Sequence, residues 1–173
     1  TNFEYQSGAL YRDPTAWMNI HVKVGTPAGD VTLHVNGVSV TLQESTAKSA
    51  SQATYFGSQN AHEIFRSPNI STYFSGYGAE VIGIYGTAEP YTSFGTEDSN
   101  GVWIPIDPSG VTFGTNGFWL DFADSSDLGN DVSGNANDFT ANSMSSDNWT
   151  YDRPADSATD TGDYCVLDPN QNR

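Results

Sequence analysis

Five aspartates, Asp121, Asp124, Asp127, Asp131 and Asp138, fall between Gly117 and Phe139 with no cation among them. No Lys, Arg or His occurs between Arg66 and Arg153. Within this tract, Asp131-Val-Ser133-Gly-Asn135-Ala-Asn137-Asp138 offers side-chain oxygens at alternate positions, and Gly134 permits a tight turn. Calcium takes about 6–8 oxygen ligands of this type. Asp131, Asn135 and Asp138 are therefore the candidate metal ligands, and Ca²⁺ is the candidate cofactor. The pattern is not an EF-hand, because it lacks the Glu at the twelfth position and the flanking helix. The competing explanation is an Asx-rich loop whose carboxylates cap their own backbone.

Other chemistries find less support. His21 and His34 lie at polar positions of alternating segments, where surface imidazoles are expected, and no Gly-x-Ser-x-Gly elbow occurs. Cys165 has no base near it in sequence and reads as a structural thiol. A retaining glycosidase needs two carboxyl groups about 5–5.5 Å apart. Glu97 and Asp98 are adjacent, so an extended backbone would point them to opposite faces. Catalytic residues are thus expected to be absent. Glycan binding needs an exposed aromatic platform flanked by polar hydrogen-bonding groups. Tyr73, Tyr77, Trp103 and Trp119 are the candidates, each of which can equally fill a core.

The segments that would position these residues read as strands and turns. Trp17 to Val24 alternates, with Met18, Ile20, Val22 and Val24 on one face and Asn19, His21 and Lys23 on the other. Val31, Leu33 and Val35 continue the pattern. Asn36-Gly37 predicts a type I′ hairpin, with Val38, Val40 and Leu42 on the return strand. Residues 43–54 are small and polar, a loop or a solvated edge. Tyr73 to Tyr85 is aromatic and β-branched, and its Gly76, Gly78 and Gly83 predict bulges or close packing. Beyond Thr96, two further Asn-Gly pairs, Pro105 and Pro108 break the chain into turns, with short strands expected at 103–106 and 117–123. Residues 140–163 read as extended, and Tyr164 to Leu167 as a last short strand. No compact second core is expected here.

Composition sets the outer bounds. The 173 residues suit one domain, or a smaller domain with an extended tail. Aromatics reach 13% while Leu and Lys are scarce, which favours a thin all-β core over a helical bundle. The formal charge is −15. Residues 1–95 hold seven acids against four bases, and residues 96–173 hold fourteen against two, so the excess is regional. Such a surface disfavours nucleic acid and anionic bilayers. A single cysteine excludes an internal disulfide, and no apolar run is long enough to insert in a membrane as a helix. The first residue is not Met, as expected of a processed product, an expressed segment or an interior piece of a longer chain.

Three motifs carry a resemblance. Tyr11-Arg-Asp-Pro-Thr-Ala-Trp17-Met-Asn-Ile20, then Val31-Thr-Leu-His-Val-Asn-Gly37, then Tyr73-Phe-Ser-Gly-Tyr-Gly-Ala-Glu80-Val resemble the second half of a laminin G-like, concanavalin A-type jelly roll. The segments Ser93-Phe-Gly95, Gly101-Val-Trp103, Phe113-Gly-Thr-Asn-Gly-Phe118, Leu120-Asp-Phe122 and Asp131-x-Ser-Gly-Asn135 are similar to tail-fibre and other structural proteins of bacteriophages. Tyr164-Cys-Val-Leu-Asp-Pro169 looks like the motif that follows such modules.

The resemblance implies an all-β, concanavalin A-like jelly-roll β-sandwich, incomplete within this chain. It would occupy residues 1–95, with an acidic, turn-rich connector over 96–173. It implies a non-enzymatic virion protein of the tail or fibre, structural or receptor-binding. Its partners would be other virion subunits, copies of itself in a homo-oligomer, and a host surface glycan. The alternative is a bacterial extracellular or cell-surface glycan-binding module or filament subunit of the same fold.

Overall fold

A computed structural model describes residues 3–11, 13, 16–52, 54, 56, 62–67 and 72–150. The expected last strand at 164–167, Cys165 and the Tyr164–Pro169 motif lie outside the described residues. The chain is all-β, and every strand pair among the described residues is antiparallel. The described strands are β1 (Glu4–Ser7), β2 (Ile20–Val24), β3 (Val31–Val35), β4 (Val38–Val40), β5 (Leu42–Thr46), β6 (Arg66–Ser67), β7 (Thr72–Tyr73), β8 (Val81–Gly83), β9 (Gly95–Glu97), β10 (Trp103–Pro105) and β11 (Phe118–Leu120). Their packing does not divide the chain at residue 95. One compact unit draws on Thr1–Gln52 and Ala88–Val111, and the other on Ala53–Thr87 and Thr112–Trp149.

In the first unit, β2, β3 and β4 form the expected meander. Asn36 and Gly37 both adopt positive φ, 48° and 75°, as a type I′ turn requires. Glycine is needed at 37 for a second reason, because a Cβ there would lie 2.4 Å from the Trp103 ring. Asn36 also ties the turn to the incoming chain, its Oδ1 accepting from the Asn19 N–H at 2.7 Å. Leu42–Thr46 forms a solvated ribbon with β1, which needs only backbone pairing and leaves its polar side chains in water. The Asp98–Val102 loop joins β9 to β10, and Asp98 accepts from the Asn100 and Val102 N–H groups, both at 2.8 Å.

On β2 the aliphatic positions are the exposed ones, whereas Val35 of β3, on the same face, is buried. Cross-strand pairing places Ile20, Val22 and Val24 with Val35, Leu33 and Val31, and Val38 and Val40 with Val35 and Leu33. One face is therefore wholly aliphatic, and the other carries His21, Lys23, Thr32, His34 and Ser39. The polar face is covered at its two histidines. A 3₁₀ turn at Tyr91–Ser93 packs its rings there, with Tyr91 stacked on His34 at 4.3 Å and Phe94 on His21 at 5.6 Å. Ile20 and Val22 remain 63% and 60% exposed. His21 and His34 are thus packed side chains, not the surface imidazoles expected from alternation.

The second unit holds most of the buried apolar side chains among the described residues. Phe113, Phe118, Leu120 and Leu128 lie in it, and only Val35 lies in the first. β8 pairs with β11, setting Gly83 opposite Phe118. Phe118 meets the edge of Phe139 at 4.8 Å, and Gly83 leaves room for the Phe118 and Phe56 rings. Gly78 likewise lies against Phe65, so these glycines serve close packing. Residues 112–149, expected as an extended connector, are therefore part of a packed core. The described end is also shaped. Ser145 and Asn148 form a capping box on a 3₁₀ turn at Ser146–Asn148, and the Trp149 indole N–H donates to the Phe122 carbonyl at 2.7 Å.

Candidate functional site

The metal candidates come together, but in a different role. Asp131 is 7% exposed, and its carboxylate accepts from four donors. The N–H groups of Trp119 and Ser133 reach Oδ1 at 2.8 and 2.9 Å. The Asn137 N–H and the Ser133 hydroxyl reach Oδ2, both at 2.9 Å. Asp138 Oδ1 in turn accepts from the Asp131 N–H at 3.0 Å. Asn135 and Asn137 turn their amide N–H₂ groups to the carbonyls of Gly114, Thr115 and Gly117 at 2.7–3.0 Å. The lone pairs a cation would need on Asp131 are thus taken by N–H and O–H donors. Asp131, Asn135 and Asp138 hold the 113–119 segment to the 129–139 loop.

This use of aspartate recurs. Asp98, Asp107, Asp121, Asp124 and Asp131 each accept from the N–H two residues on, at 2.8–3.1 Å. These are Asx turns, in which a side chain stands in for a backbone carbonyl. For Asp131, burial pushes the pKa up, but the N–H donors of Trp119, Ser133 and Asn137 and the Ser133 hydroxyl outweigh it, so the group ends below the usual carboxylate value. Its stabilising contribution is therefore full above pH 3.8 and is lost as pH falls through the folded value.

The four aromatic candidates separate. Trp103 lies against Gly37 and Gly95, where a Cβ on either would approach its ring to 2.4 Å, and contacts Tyr91 at 5.7 Å. Trp119 stacks on Phe113 at 6.1 Å with rings 12° from parallel. Both indole N–H groups are buried. These tryptophans are packing residues. Tyr73 and Tyr77 are 72% and 60% exposed, as is Phe74 at 56%.

The β6–β7 pair positions Tyr73. Arg66 lies opposite it in register, and the Phe74 N–H extends the pairing to the Phe65 carbonyl at 2.8 Å. Phe65 stacks on Phe74 at 5.4 Å, anchoring the ribbon. The Arg66 guanidinium sits 5.9 Å from the Tyr73 ring centre and is ion-paired with Glu63. An exposed phenol ring, a guanidinium and a carboxylate are thus held together. Of these, only Tyr73 was legible in the sequence. Arg66 and Glu63 were missed because their proximity arises from strand pairing and the Glu63–Arg66 spacing together.

The two histidines form a further polar cluster. His21 Nε2–H donates to the Glu89 carbonyl at 3.1 Å, while Nδ1 of both His21 and His34 is buried without a hydrogen-bond partner. Burial lowers the His21 pKa, with the neighbouring His34 and Lys23 adding to the effect and the Glu89 carbonyl opposing it. The carboxylate on the covering segment, Glu89, accepts from the Ser93 hydroxyl at 3.2 Å. A histidine with a lowered folded-state pKa gives stability that is full above its unfolded value of 6.5 and falls as pH drops below it. The urea midpoint is therefore expected to fall between pH 7.5 and 5.5. His21→Gln is expected to flatten that slope, as followed by circular dichroism.

Comparison with protein-family models, curated proteins and solved structures returns no match for this chain.

Proposed function

We propose that the chain is a non-enzymatic structural or receptor-binding module of a bacteriophage tail or fibre, built on an incomplete concanavalin A-type jelly-roll β-sandwich. The motifs between Tyr11 and Val81 support the lineage, and the all-β antiparallel architecture accords with it. The observation that carries the binding role is the exposed Tyr73 ring beside Arg66 and Glu63. A pyranose offers an apolar C–H face and a rim of hydroxyls. The open ring suits the first, and the guanidinium and carboxylate suit the second. Single contacts of this size are weak, and display in many copies on a virion raises the avidity.

The test is binding to surface polysaccharide from a panel of bacteria, with the protein displayed in multiple copies. Tyr73→Ala is expected to weaken binding at least roughly fivefold, about 1 kcal/mol for one aromatic contact. It should leave stability within about 0.5 kcal/mol, because the ring is exposed. Binding indifferent to Tyr73→Ala would reject the site. Release of reducing ends from the polysaccharide would reject the non-enzymatic assignment.

A further inference from the structure

We infer that the site around Tyr73 takes uncharged sugar rings and turns acidic ones away. This rests on the glycan-binding reading above and adds the charge class of the ligand to it.

A guanidinium beside an aromatic ring ordinarily recruits carboxylates, since its planar fork pairs with both oxygens. At Tyr73 that capacity is already taken. The Arg66 guanidinium is ion-paired with Glu63, three residues earlier, while it stands 5.9 Å from the Tyr73 ring centre. The Glu63 charge is the first cause holding the Arg66 pKa above its ordinary value, and Tyr73 adds to it. A glycan carboxylate would have to displace Glu63 and would then sit beside its charge. An exposed ion pair of this kind adds little to folding. Its consequence is a rim that offers a donor and an acceptor but no net charge.

No second cation stands close by in the chain. The unit that contains Tyr73, residues 53–87 and 112–149, holds eight acidic residues and one arginine. It has no lysine, and its histidine is His62. Its potential is therefore negative over roughly a Debye length, about 10 Å at 0.1 M salt. A uronate meets repulsion on approach and a guanidinium already paired on arrival. An amino sugar is drawn by the same field, but at the ring its ammonium faces Arg66. Its attraction is to the acidic surface at large and does not need Tyr73. An uncharged pyranose meets neither obstacle. Its C–H face stacks on the phenol, and its hydroxyls accept from the guanidinium and donate to the carboxylate.

Binding by the protein displayed in multiple copies tests this with three probes. They are uncharged bacterial surface polysaccharides, the same polymers after oxidation of their primary hydroxyls to carboxylates, and polysaccharides with free amines. The expected result is Tyr73-dependent binding of uncharged polymers, changed less than about twofold between about 50 and about 500 mM salt. Oxidation is expected to weaken binding at least roughly fivefold at the lower salt, with part of the loss recovered at the higher. Glu63→Gln leaves the Arg66 charge unpaired and is expected to raise binding of the oxidised polymer at least roughly threefold. Binding of amine-bearing polymers is expected to survive Tyr73→Ala and to fall with salt. Oxidised or amine-bearing polymers that bind through Tyr73 as tightly as uncharged ones overturn the charge selection and leave the site standing. Binding of every polymer indifferent to Tyr73→Ala removes the site, and the charge selection with it.

Discussion

Asp131→Ala is expected to destabilise the protein by about 3–5 kcal/mol, a large part of the roughly 5–15 kcal/mol that holds an ordinary domain folded. The substitution removes one acceptor from three backbone N–H groups, those of Trp119, Ser133 and Asn137, and from the Ser133 hydroxyl. Each buried donor left without an acceptor costs about 1–3 kcal/mol, reduced where water can enter. Asp131→Asn is the finer probe. Its Oδ1 keeps the Trp119 and Ser133 N–H bonds, but its N–H₂ then faces the Asn137 N–H, so about 2 kcal/mol is expected to be lost. Urea denaturation at pH 7 measures both. If Asp131 were instead a metal ligand, both variants would match the wild type in chelator, and only the wild type would gain stability from calcium.

Lys48→Met is expected to cost about 3 kcal/mol, by the logic of a buried polar group that loses its partner. Lys48 is 1% exposed, and its ammonium donates to the carbonyls of Thr26, Pro27 and Ser49 at 3.0–3.2 Å. The ammonium's three N–H groups match three carbonyls that converge where two loops meet. Backbone bonds complete the junction: Gly29 N–H to the Lys48 carbonyl and Ser51 N–H to the Thr26 carbonyl, both at 2.8 Å. Methionine fills the same volume but leaves the carbonyls without donors. Lys48→Gln, which keeps two N–H donors, is expected to fall between. Equal stability of the methionine variant and the wild type in urea would show that the ammonium is a passenger.

The sequence made local chemistry legible and non-local choice illegible. Asn36-Gly37 gave a hairpin because both residues tolerate positive φ, a property carried by the dipeptide itself. Asn100-Gly101 lies in the β9–β10 hairpin loop, but only Gly101 has positive φ there, 78°. At Asn116-Gly117 neither residue has positive φ, and the left-handed position is Gly114 instead. Alternation correctly divided β2 and β3 into two faces, but it could not say that the polar face would be covered at its histidines. That depended on Tyr91 and Phe94, which arrive from far along the chain.

The acidic stretch divides in the same way. Asp followed by Ser two residues on occurs at Asp107, Asp124 and Asp131, and all three form Asx turns. That spacing was available in the sequence, whereas the reach of Asp131 to Trp119 and Asn137 was not. The core of residues 112–149 escaped notice because Phe113, Phe118, Leu120 and Leu128 lie among turn residues with no long helical or strand period. Charge density suggested a solvated connector. Backbone N–H groups are what most of its aspartates serve.

Amide hydrogen exchange at Trp119, Ser133 and Asn137, followed by NMR without added metal, tests most directly whether the acidic tract is folded around Asp131. The expected result is slow exchange at all three, with protection close to that of the other two β11 amides, Phe118 and Leu120, and far above that of exposed loop amides. Rapid exchange at all three, becoming slow only on addition of calcium, would contradict the hydrogen-bonded assembly and return Asp131, Asn135 and Asp138 to a cation site.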